Sequence, residues 1–150
     1  MNYDGIDFYL SDDGDISIAE GGDIADTSYD YIVSLQQQII FAMKNDSGDW
    51  LEYPTIGANL REFAGEPNTR ENAKKIEAKL KNVLVHAVSI QKQDVEINVN
   101  AAGAHSVFIE IIVNAQPTVF NSLKGPLIMT LFFDSTDGSL LWAPTSPGGT

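Results

Sequence analysis

Hydrophobic positions along the chain change their period twice. At the start they alternate: Ile6, Phe8 and Leu10, then Ile16 and Ile18 after the stretch Ser-Asp-Asp-Gly-Asp. Period two is the pattern of a half-buried strand, and Asp and Gly supply the turn dihedrals that close a pair. Residues 1–26 therefore read as a β-hairpin arm, with Ala-Glu-Gly-Gly-Asp-Ile-Ala-Asp breaking the strand pattern and no internal repeat evident. Helical spacing follows. Ile32, Leu35, Ile39 and Met43 form a stripe that Ile40 widens, which predicts a helix over residues 28–44. Thr27 or Ser28 is the expected cap, and Gly48 the expected left-handed terminator.

Residues 49–63 read as a connector with one helical turn at 58–63. A second helix is expected over 69–84, with Ala73, Ile76, Leu80, Val83 and Leu84 as its buried stripe and Lys74, Lys75, Lys79 and Lys81 on its other faces. Asn68 and Glu71 have the spacing of a capping box. Alternation then returns, predicting strands at 85–91, 95–100, 105–116, 127–134 and 139–143. The last seven residues, Pro-Thr-Ser-Pro-Gly-Gly-Thr, exclude regular structure. The expected fold class is α+β, with two main helices packed on one face of a largely antiparallel sheet. Residues 1–26 form the arm, 27–116 the core, and 117–150 a C-terminal strand extension and flexible tail, in one domain overall.

Composition narrows the function. At 150 residues and 43% hydrophobic, the chain suits one core of ordinary size. The formal net charge of -12 disfavours a phosphate backbone or an anionic bilayer, so neither nucleic acid nor membrane is expected as a partner. Val-Phe-Ile-Glu-Ile-Ile-Val and Leu-Ile-Met-Thr-Leu-Phe-Phe are too short to span a membrane. The first ten residues lack a basic region and an apolar run, so no signal peptide is expected. With no cysteine, disulfides and thiolate chemistry are excluded.

Candidate chemistry is sparse. Asp49, Glu52, Glu62 and Glu66 cluster in sequence, and Glu52 and Glu66 are the best placed to act as acid and base. Glycoside cleavage needs two carboxyls held roughly 5–9 Å apart, which loop spacing does not fix. Solvated loop charge is the favoured reading. The Asp-rich first turn misses the glycine and chelating Glu that a calcium loop requires, and His86 and His105 lack metal-ligand spacing. No metal or cofactor is expected. Trp50 and Trp142 suit interface anchoring or a core edge. A small sheet with open edges, an arm at one end and a tail at the other suit strand exchange between neighbours.

The order of features between residues 28 and 115 resembles the small baseplate-wedge, or sheath-initiator, family of contractile phage tails, which also occurs in type VI secretion baseplates. The resemblance is carried by Gln38-Ile39, Gly48-Asp49, the Pro54, Gly57 and Leu60 segment, Phe63, and the helix after Asn68. The family's Glu-Pro-Arg before its first sheet strand is replaced here by Val85-His86-Ala87. The resemblance implies a non-enzymatic structural subunit of the virion tail baseplate, made in the host bacterial cytoplasm and present in several copies. Its implied partners are larger baseplate wedge proteins and tail sheath subunits, the first sheath ring assembling on it by β-strand addition. Trp50, Tyr53, Leu60, Phe63, Glu66, Arg70, His86 and Trp142 are the expected partner-binding residues. The alternatives are a type VI secretion subunit and a tail lysozyme.

Overall fold

A computed structural model describes residues 8–11, 14–27, 31–88, 90–114 and 126–143. Two helices, α1 (Tyr31–Lys44) and α2 (Arg70–His86), precede strands β1 (Val95–Ala101), β2 (Ser106–Val113), β3 (Leu127–Asp134) and β4 (Leu140–Ala143). The strands form one antiparallel sheet in the order β1-β2-β3-β4. The expected α+β class is the observed one.

Strict alternation in β2 and β3 sends every second side chain inward. Val107, Ile109, Ile111 and Val113 on β2 and Leu127, Met129, Leu131 and Phe133 on β3 are all buried. From the helices come Leu35, Ile39, Ala42 and Met43 of α1 and Ile76, Leu80, Val83 and Leu84 of α2, in the same core cluster. Each fully buried aliphatic side chain here contributes about 1.5–3 kcal/mol relative to leaving it in water. In the β3–β4 turn, hydrogen bonds from the Ser139 hydroxyl and N–H hold the Asp137 carboxyl below its usual range.

Several local expectations need correction. Among the described residues of 85–91 no strand forms. Instead α2 runs on to His86, and the Ala87 and Ile90 N–H groups donate back to the Val83 and Leu84 carbonyls. Leu84, Ala87 and Val88 also satisfy helical spacing, and packing against the core decided between the two periods. The cap of α2 is Thr69, whose hydroxyl accepts from the Asn72 N–H. Asn68 is not half of a capping box. Its amide donates to the carbonyls of Gly103 (2.7 Å) and Ser106 (3.0 Å), tying the helix entrance to the β1–β2 turn. Gly48 does not terminate α1, which ends four residues earlier. Ile6, Ser28, and residues 117–125 and 144–150 of the expected C-terminal extension and tail lie outside the described residues.

The arm is more than a hairpin. Three short segments pair around a ring, through bridges Leu10↔Ile16, Ile18↔Ile24 and Phe8↔Asp26. Ser17 N–H donates to the Tyr9 carbonyl, Ala25 N–H to Ser17, and Tyr9 N–H to Ala25, at 2.8–3.0 Å. These three positions are eight residues apart, and the same offset relates Gly14 to Gly22 and Asp15 to Asp23. An eight-residue repetition therefore exists where none was evident in the sequence. It is masked because Ser11, Ala19 and Thr27 differ, and because Asp26 stands where Leu10 and Ile18 stand. The ring docks on α1 through Gln37, whose side chain accepts from Leu10 N–H (2.8 Å) and donates to the Phe8 carbonyl (3.0 Å).

Candidate functional site

The connector after α1 is a closed loop with a tight base. Ala58 N–H donates to both the Ala42 and Asn45 carbonyls, so the returning chain satisfies the end of the helix. Gly57 lies against the outgoing chain, where a Cβ would fall 2.4 Å from the Asp46 carbonyl carbon. Asn59, in the left-handed region at φ 50°, accepts from Ser47 N–H and donates to the Ser47 hydroxyl. Gly48 N–H donates to the Pro54 carbonyl at 2.9 Å.

This base leaves residues 50–53 as a projecting tip. Trp50 is 43% exposed, Leu51 95% and Tyr53 58%. Trp50 leans edge-on against Phe41 of α1, with ring centroids 5.0 Å apart. The bonded base thus orders a loop that presents three large side chains to water.

The eight expected contact residues do not converge. Trp50 and Tyr53 share the tip. Leu60 is buried in the core, so it anchors the loop to its own domain. Phe63 is half-buried beside it, with the Lys79 ammonium 5.7 Å from its ring centroid, and Lys79 also pairs with Glu62. Glu66 is exposed beyond the 3-10 helix Leu60–Phe63, in a recess with Pro67 and Asn72 that does not include Glu52. Arg70 opens α2, and His86 is exposed at that helix's last position. Trp142 on β4 is half-buried beside α1. Leu51, Phe41 and Gln37 were passed over in the sequence. Leu51 had a signal, a lone aliphatic residue between Trp50 and Tyr53 in a polar loop.

The sheet offers two further surfaces. Its outer face carries a row across three strands, Phe108, Phe132 and Leu141, in register. The two phenyl rings meet edge-on at 5.2 Å. Phe132 and Leu141 are exposed. The second surface is the edge of β1. Asp94 and Asn114 bond across the ladder, as do Ala102 and Ser106, and bonding alternates along an antiparallel pair. The even-numbered residues of β1 therefore face β2. The N–H and C=O groups of Val95, Ile97, Val99 and Ala101 point away from it, and no described strand pairs with them. At β4 the same count leaves only Leu140 and Trp142 pointing outward.

Beside the β1 edge runs an open groove of about 510 Å³, walled by Arg70, Ala73, Lys74 and Glu77 of α2 and floored by residues 98–101. Among the described residues, no group of three or more carboxylates and histidines is placed to hold a metal ion. No described helix is long and apolar enough to cross a membrane. A scan against protein-family models, a search of curated proteins and a search of solved structures each returned no match to this chain.

Proposed function

We propose that this chain is a structural baseplate subunit of a contractile tail, binding larger wedge proteins and templating the first sheath ring at the open edge of β1. The carrying observation is that edge: four residues with outward backbone groups, two of which, Val99 and Ala101, line the open groove beside α2. Main-chain bonds would supply affinity there, and alternate side chains of the guest strand would supply specificity. Arg70 and Lys74 outnumber Glu77 in the groove wall of a chain that is acidic as a whole, which favours a guest with acidic side chains. The family resemblance supports the same reading and implies several copies in a symmetric virion baseplate. The loop tip at Trp50, Leu51 and Tyr53 and the outer row at Phe132 and Leu141 are the surfaces that larger wedge proteins would cover.

Val99→Pro tests this, because it deletes an outward N–H and proline is tolerated on edge strands. Asn100→Pro is the control, since its N–H faces β2. With sheath subunits and wedge proteins added, the wild-type chain is expected to gain amide protection at Val95, Ile97, Val99 and Ala101. Val99→Pro should stay folded and lose that assembly, while Asn100→Pro removes a ladder bond to β2 and should lose about 1–3 kcal/mol of stability. Unchanged exchange along β1 in a formed complex would overturn the edge. Peptidoglycan turnover abolished by Glu52→Gln or Glu66→Gln would overturn the structural role.

A further inference from the structure

We propose that the ring-shaped arm is a second docking face, one that takes an apolar protein segment flanked by lysine or arginine. The inference builds on the assembly reading above but uses a surface separate from the β1 edge.

Side chains of bridged residues in an antiparallel pair lie on one face, as do residues i and i+2 of each segment. The three bridges therefore gather Phe8, Leu10, Ile16, Ile18 and Ile24, with Asp26 at one end, on a single side of the ring. All five are 40–64% exposed. Within so short a stretch this is a large apolar area exposed to water. Gln37 holds the ring by backbone groups. Leu10 continues the face into a recess of about 320 Å³ between the arm, α1 (Val33, Ile40 and Phe41, with Lys44 at the helix end) and Trp142. That recess has room for an inserted aliphatic side chain.

Charge identifies the guest. The first 43 residues contain nine Asp and Glu and no Lys, Arg or His, the first basic residue being Lys44. Asp15, Glu20, Asp23 and Asp26 are exposed around the ring. A second copy of this chain would bring the same acidic rim against its own, which like-charge repulsion opposes. An anionic lipid surface is opposed for the same reason. An apolar centre with a basic margin is complementary in both respects.

The test uses the full chain carrying Trp50→Phe, so that Trp142 is the sole tryptophan. A synthetic amphipathic leucine–lysine peptide is titrated in, with a scrambled peptide of identical composition as control. The expected result is a saturable change in Trp142 fluorescence, with amide shifts confined to the arm and to the recess residues of α1 and β4. Affinity should fall about tenfold as salt rises from about 50 mM to about 500 mM, where exposed charges are screened. Ile18→Asn with Ile24→Asn should abolish binding, with the β2 and β3 amide spectrum unchanged. Equal binding of the scrambled peptide, shifts mapping elsewhere, or self-association through the arm in sedimentation would each overturn the proposal. Val99→Pro should leave peptide binding intact, so failure at the arm and failure at the β1 edge are read separately.

Discussion

At the scale of single residues, the loop after α1 separates positions that hold its shape from positions that are presented. Gly57 has φ of 150° and its missing Cβ is replaced by the Asp46 backbone at 2.4 Å. Gly57→Ala is expected to cost about 2–4 kcal/mol in urea unfolding, since neither strain nor contact can relax without moving the loop base. Leu51→Ser, at a position 95% exposed, should stay within about 0.5 kcal/mol of wild type in the same measurement. The spacing of Pro54, Gly57 and Leu60 was legible as a shaped segment, because glycine and proline signal locally. The role of Asn59 was not. Its left-handed backbone and its bonds to Ser47 depend on a chain twelve positions away, and no local propensity reports such a partner.

At the scale of elements, β1, β2 and β3 fell where alternation put them, because each carries a long run with one face wholly apolar. The error at 85–91 arose where two periods fitted equally well, and the helix won because Val83 and Leu84 were already committed to the core. The arm shows a different limit. Its strand character was readable from Phe8, Leu10, Ile16 and Ile18, but ring closure required the third segment at 24–26, which looked like a break. Gln37 resembled its neighbours Gln36 and Gln38 and carried no distinguishing signal. It can be isolated by experiment. Gln37→Leu keeps the helix yet removes both bonds to the arm. The Leu10 amide should then exchange faster, with an opening energy lower by about 1–2 kcal/mol, while amides of β2 and β3 keep their protection. Equal protection of Leu10 in both proteins would place the attachment elsewhere.

At the scale of the whole molecule, one side is closed and several are presented. Helices seal the inner face of the sheet, whereas the outer row at Phe108, Phe132 and Leu141, the β1 edge, the loop tip and the arm all meet solvent. The exposed surfaces were only partly visible in the sequence, since Phe132 and Leu141 become neighbours through strand register. The closed triangle of Tyr9, Ser17 and Ala25 has a consequence of its own. Each link both gives and receives one bond, so losing any one segment breaks two of the three links and leaves a lone two-segment pair, which is marginal in water. Trimming the chain from its start through Leu10 should unravel the two remaining segments together instead of shortening the arm by a third. Limited proteolysis of such a shortened protein should cut throughout 14–27 at once and halt at α1.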